Sequence, residues 1–350
     1  MASATNVCIL NDTSEWYHWG CHGSSLGLRG LVDRRFQPET ITIVPIKMSY
    51  APSHLPETPE EMSDLRSAEA FLKTWPAAQS LIEADGIVIN GEGTLHGFAA
   101  HVKRLLFIMA ICGRVLNKRV HLVNHSVFPP RDDPAALAFY RAAYHSAHHV
   151  AVRESDSLRI LRERFGLAAR LAFDCLPLTL ESAALQPRRD GADYAVITGT
   201  SAMDEARFGV LKAGTMRLVR AGLRVIWLLG APKNPATDEA DQARLCAAPL
   251  GAEVVAASSF EEWARLIRDA RFVFSGRFHY VIARLCLGGP FVTYGGNTPK
   301  IAAMLRDLNL PGLLVEAEAD AVPTIDLANR IAFPPRAAEL AERARANMES

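Results

Sequence analysis

The sequence carries no excess charge of either sign: its 350 residues include 38 Lys+Arg against 38 Asp+Glu, so the formal net charge is zero. A nucleic-acid binder would show a basic bias, so nucleic acid is not an expected partner. An anionic ligand must instead be held by a local group of donors. Long apolar runs are also missing. The longest candidate, residues 105–112, lies between Arg104 and Arg114 and falls short of the ~20 residues that cross a bilayer. It reads as a buried helix, so no transmembrane segment is expected and membrane contact is limited to the periphery. The six cysteines (Cys8, Cys21, Cys112, Cys175, Cys246, Cys286) form no CxxC pair, so reduced core thiols are expected rather than disulfides or a zinc site. No metal and no other cofactor is expected. Residues 1–6 lack a basic segment followed by an apolar one, so no signal peptide is expected and the compartment is read as the cytoplasm. There is no low-complexity segment, and no GxGxxG.

What the chain does have is alternation. Hydrophobic residues make up 49% and charged residues 22%, an ordinary globular balance. Short β-type runs at 7–10, 41–46, 86–90, 119–123, 149–152 and 170–173 are separated by helical stretches near 24–34, 63–78, 99–116, 134–147 and 155–165. In the last of these, Ser155 opens an apolar-periodic run and Gly166 stops it. Strands separated by such helices predict parallel pairing and right-handed crossovers. A polar stretch at 182–192 then reads as a linker, after which the alternation restarts with strands at 194–198, 224–229, 271–274 and 291–294. The expected fold is α/β: two Rossmann-like domains with parallel sheets, 1–185 and 186–350, with the active site in the cleft between them. A final helix over 335–347 is expected to cross back onto the first domain. Ligands of such sheets bind beyond the carboxyl ends of the strands.

Several loops at those ends are rich in polar groups. The first runs from Asn11-Asp12-Thr13 through Trp16, His18, Gly20, Cys21 and His22 to Ser25, far longer than a simple βα turn needs. Asp12 and Thr13 serve equally as turn formers, and Trp16 and Trp19 as packing. After the third strand, Asn90-Gly91-Glu92-Gly93 lets backbone amides approach a ligand. Glu92 there could accept protons from hydroxyls, or sit solvated in a tight turn. His125, ending the next strand, could shuttle protons or pack as a hydrogen-bonded core histidine. Arg153, after the fifth strand, suits a carboxylate or phosphate; it could instead pair with Glu154 or Asp174.

The most informative run is Phe274-Ser275-Gly276-Arg277-Phe278-His279, where a buried strand turns into an apolar helix. A cation at a helix N-terminus is disfavoured by the macrodipole. An anion seated between Arg277 and the helix end explains its presence. Farther on, Thr298 is expected to cap a helix with Pro299 at its first position and Lys300 directed towards the same place.

With these elements in order, the chain resembles the polysaccharide pyruvyl transferase family. The resemblance rests on the polar first loop, Asn90-Gly91-Glu92-Gly93, Val152-Arg153-Glu154-Ser155-Asp156-Ser157, Ala172-Phe173-Asp174, Ser275-Gly276-Arg277-Phe278-His279 and the Tyr294-to-Lys300 turn. It implies a GT-B-like fold and a transferase of exopolysaccharide biosynthesis. Such an enzyme carries a pyruvyl group from phosphoenolpyruvate to a sugar of a cell-envelope glycan or its lipid-linked precursor. The resemblance further implies that Arg153, Arg277 and His279 hold the donor, with Ser275, Gly276 and Lys300 beside it and His279 as acid. Asn11, Trp16, His18, His22 and His125 are the candidate acceptor-side residues, and Asp12 and Glu92 are candidate catalytic carboxylates, base or nucleophile in the rival reading below. The chain departs from the family's Asn-x-Gly-Asp element, reading His18-Trp19-Gly20-Cys21-His22-Gly23 there. The rival expectation is a GT-B-type glycosyltransferase using a nucleotide sugar, such as a CMP-linked acidic sugar of the Kdo type. A third is a non-catalytic glycan- or nucleotide-binding protein.

Overall fold

Strands flanked on both faces by helices must be apolar throughout, and the runs 7–10, 87–89, 195–197 and 272–274 are completely buried. The computed structural model describes residues 6–15, 18–51, 54–183, 193–230 and 238–349. These fall into two compact units. The first comprises Met1–Trp16, Ser25–Cys175 and Glu342–Ser350, and the second Tyr17–Ser24 and Leu176–Ala341. The polar linker expected at 182–192 lies mostly outside the described residues.

The first unit is built on a six-stranded sheet of β1 (Asn6–Asp12), β2 (Thr40–Pro45), β3 (Gly86–Asn90), β4 (Arg119–His125), β5 (His149–Val152) and β6 (Arg170–Leu171). Its order is β2-β1-β3-β4-β5-β6, with every pairing parallel. The helix Ala100–Ala110 crosses the core of this unit and continues into a π-turn, Ile111–Val115, so the apolar run 105–112 is indeed interior. The helix Ser155–Phe165 ends at Gly166 in the left-handed conformation, φ 66°, as its sequence requires. The end of the chain also belongs here. Past the helix Ala337–Arg345, Asn347 accepts from the Asn124 amide at 2.8 Å and donates to the Phe173 carbonyl at 2.7 Å.

The second unit carries β7 (Tyr194–Thr200), β8 (Arg224–Leu229), β9 (Glu253–Ala256), β10 (Phe272–Gly276), β11 (Phe291–Tyr294) and β12 (Leu314–Val315). Their order is β12-β11-β10-β7-β8-β9, again all parallel. β9 and β12 have no counterpart in the sequence reading. β12 has two residues, and β9 is a largely exposed edge strand without an apolar run.

In each unit the strand order reverses once, the place where sheets of this kind bind ligands. In the second, the connections reverse direction between β7 and β10; in the first, between β1 and β3. Asn11 and Asp12 end β1, Glu92 follows β3, and Arg277 and His279 stand at the turn and first helical residues after β10. Among the described residues, no helix is long and apolar enough to cross a membrane.

Candidate functional site

The reversal in the second unit is built from small hydroxyl groups. The β10 backbone departs from regular pairing between Phe274 and Gly276. The Ser275 hydroxyl lies 2.6 Å from that of Thr198 and accepts the Arg277 amide at 3.0 Å. A Cβ at Gly276 would come within 2.7 Å of Thr200 and 2.8 Å of Tyr294, so only glycine fits where the chain turns. Arg277 is the N-cap of the helix Phe278–Leu287 and makes no side-chain cap. Its guanidinium is therefore not spent on the helix end. Arg277 and His279 are only 8% and 7% exposed.

The first turn of the helix Trp19–Phe36 packs on this place. The sequence suggests a loop running from Asn11 through Ser25 here. Instead the helix begins at Trp19, and Gly20 and Gly23 lie inside it. The reason is close approach: a Cβ at Gly20 would sit 2.3 Å from the His279 Cβ. This contact brings Cys21 Sγ to 3.9 Å from His279 Nδ1. His22 lies edge-on to Trp19 and beside Phe260. His18 Nδ1 accepts the Gly20 amide at 3.0 Å, so Nε2 carries the proton, and Nε2 stands 3.7 Å from a carboxylate oxygen of Glu239.

Glu239 was not foreseen. It is fully buried and accepts the Gly230 amide at 3.0 Å and the Tyr280 hydroxyl at 3.1 Å. Burial raises its pKa, but the His18 hydrogen bond and charge, the Arg277 guanidinium and the Tyr280 hydroxyl outweigh that and hold it below the usual carboxylate range. Glu239 is thus an ionised buried acid. Burial and the Glu239 charge push the Tyr280 phenol far up, so it stays a donor. Lys300 is the first residue of the helix Lys300–Asp307, its ammonium 5.4 Å from the Phe278 ring centre. That helix starts one residue later than its sequence suggests: Pro299, not Thr298, takes the cap position, and no side chain caps it.

The first unit's strand ends look different. Asn11 and Asn124 both adopt left-handed backbone, φ 58° and 54°. Their side chains join a fully buried ladder: Asn11 donates to the Asn90 carbonyl at 2.7 Å and to Thr94 at 3.0 Å, and Asn124 donates to the Asn90 side chain at 2.9 Å. Asp12 takes a two-pronged contact from Arg29, at 2.9 and 2.8 Å, and also accepts the Ser14 amide and hydroxyl. Arg153 reaches Asp174 at 2.6 Å and Ser126 at 3.2 Å, which is the paired alternative its sequence allowed. Burial weakens its charge, but Asp174, Glu92 and Glu154 together more than restore it. Glu92 is buried, its amide on the Asn90 side chain at 3.3 Å. His125 is wholly enclosed, its Nε2 2.8 Å from the Tyr144 hydroxyl, and burial with the Arg153 charge drives its pKa down to about 3. It is therefore neutral at ordinary pH. Trp16 lies outside the described residues.

Comparison with known proteins adds the following. A family model described as polysaccharide pyruvyl transferase matches residues 25–297. No curated protein matches by sequence. Among solved structures, UDP-GlcNAc 2-epimerase from Neisseria meningitidis, bound to UDP-GlcNAc, superposes with TM-score 0.60 at 8% identity, covering 97% of each chain. The Methanocaldococcus jannaschii UDP-GlcNAc 2-epimerase gives 0.56 at 8% identity over 98% of this chain and 97% of that one. A trehalose-phosphate synthase from Burkholderia xenovorans gives 0.55 at 13% identity over 98% and 96%. At these identities the likeness establishes the GT-B-type fold alone.

Proposed function

Because the chain belongs to the polysaccharide pyruvyl transferase family and is a transferase, we propose that it transfers a pyruvyl group from phosphoenolpyruvate to a sugar of a cell-surface glycan or its lipid-linked precursor. The observation that carries this reading is the place of Arg277: a buried cation at a helix N-terminus, at the strand reversal of the second unit, beside His279.

Ketal formation needs a proton on the donor's methylene carbon, which leaves a cation on the adjacent carbon stabilised by its oxygen. A sugar hydroxyl attacks that carbon, phosphate leaves, and a second hydroxyl closes the ketal. His279 supplies the first proton. Arg277, helped by Lys300 and the Ser275-Gly276 turn, holds the anionic groups and stabilises the departing phosphate. His18, with its Nε2–H facing Glu239 and its Nδ1 on the Gly20 amide, stands beside His279 as a positioning group. In this reading Asp12, Arg153, Asn11 and His125 hold the first unit's strand ends in shape, and Glu92, in the turn after β3, meets acceptor hydroxyls. The cytoplasm, where phosphoenolpyruvate is available, is the compartment this chemistry requires.

The test is a thermal-shift comparison of phosphoenolpyruvate with a panel of nucleotide sugars, since a ligand that binds only the folded state raises Tm. Phosphoenolpyruvate alone should do so, and mass spectra of lipid-linked glycans should gain one pyruvate ketal. Stabilisation by a CMP- or UDP-sugar alone would replace this reading with glycosyl transfer.

A further inference from the structure

Three side chains of the second unit with metal-binding chemistry converge on one point: a ring nitrogen from each of His18 and His279 and the Cys21 sulfur all lie within 4.8 Å of one another. They come from two separate elements. His18 directly precedes the helix Trp19–Phe36, Cys21 is in its first turn, and His279 is in the first turn of Phe278–Leu287. The absence of a side chain at Gly20 is what lets the two helix ends meet.

We propose that His18, Cys21 and His279 bind a borderline-soft divalent cation, with Zn2+ the best fit. Two imidazoles and a thiolate select zinc-like ions over Mg2+ or Ca2+. With bonds of ~2.0–2.1 Å to nitrogen and ~2.3 Å to sulfur, a tetrahedral ion needs nitrogen and sulfur about 3.6 Å apart. The Cys21 Sγ to His279 Nδ1 distance of 3.9 Å requires only a small contraction. His18 is prepared as well. Its lone pair is on Nδ1, held at present by the Gly20 amide, and its Nε2 proton faces the ionised Glu239. A carboxylate behind a ligating histidine fixes the tautomer and strengthens the ligand. On binding, the Cys21 thiol proton goes to solvent as the sulfur–metal bond forms. Three protein ligands leave one position open.

This inference rests on the proposed function in one respect only: occupancy ties up His279 and so inhibits proton transfer. Binding itself is measured without any donor. Full-length protein stripped with a chelator is titrated with Co2+ and then Zn2+. One Co2+ per chain with a near-ultraviolet thiolate-to-cobalt band, displaced by one Zn2+, supports the site; Mg2+ should give nothing. Cys21→Ser should abolish the band and weaken Zn2+ binding at least tenfold, and His18→Gln should weaken it with the band retained. A folded wild-type protein that shows no band, or keeps it in Cys21→Ser, overturns the proposal whichever donor the enzyme uses.

Discussion

Two sets of polar and charged side chains stand near the carboxyl ends of the strands in the two units, and they are managed in opposite ways. In the first unit two of the charges are closed off. Asp12 is gripped by Arg29, Arg153 by Asp174, and an asparagine ladder ties the ends of β1, β3 and β4 together. In the second unit the groups brought together are two buried histidines, a part-buried thiol and a buried carboxylate, with Arg277 near them. The difference teaches that position at a strand end is not enough to assign chemistry. A saturated ion pair holds the backbone, and a histidine with an oriented proton can work.

The comparison is most sharply tested at the Arg153–Asp174 pair, which should matter for folding rather than for donor binding. Breaking a buried pair leaves a charge uncompensated and costs about 3–5 kcal/mol. Asp174→Asn should lose on the order of 3 kcal/mol in urea unfolding, and Arg153→Lys should leave the donor KM within about twofold. A tenfold rise in KM for Arg153→Lys would return Arg153 to the donor site and break the contrast.

Next comes Arg277→Ala, expected to lower kcat/KM for the donor by about 10²–10³-fold, the usual loss when one charge-stabilising donor is removed. Turnover equal to wild type would sink the assignment of the donor to this turn. Glu239→Gln keeps the shape but not the charge that orients His18, and should cut kcat by roughly 10–100-fold. Because a positioning role acts through the imidazole, the pH profile of kcat should move as well; a fall in stability without that movement would make Glu239 merely structural.

The smallest effect concerns acid. Burial, helped by His149, lowers His121 from 6.5 to about 4. The unfolded chain therefore takes up this proton first. Its contribution is complete above pH 6.5 and is lost as the pH falls towards 4. The limiting slope is about 1.4 kcal/mol per pH unit, for a total of about 2 kcal/mol once partial exposure is allowed for. His121→Gln should flatten that limb of the stability curve, and an unaltered limb would place the acid sensitivity elsewhere, with the enclosed His125 the next to test.

Much of the fold is legible in the chain. The β3, β5, β8 and β11 boundaries follow directly from apolar runs, and Gly166 ends its helix as glycine should. Where reading fell short, the cause is packing at a distance. Gly20 and Gly23 look like loop residues because glycine weakens helices, yet here they let a helix approach His279 and Phe260. Glu239 looks like one acidic residue among many on a polar helix. Nothing in its spacing marks it, and only the tertiary fold surrounds it with His18, Tyr280 and the Gly230 amide.

What the sequence by itself determined is the alternation of strand and helix, the parallel sheets it forces, and which side chains stand at strand carboxyl ends. Periodicity, caps and stops act over a few residues, so local chemistry suffices to decide them. Only the tertiary structure decided which of those side chains are spent and which can react. A buried charge must find a partner, and the partners here (Asp174 for Arg153, Arg29 for Asp12, Glu239 for His18) are supplied by segments that meet only when the sheets are assembled.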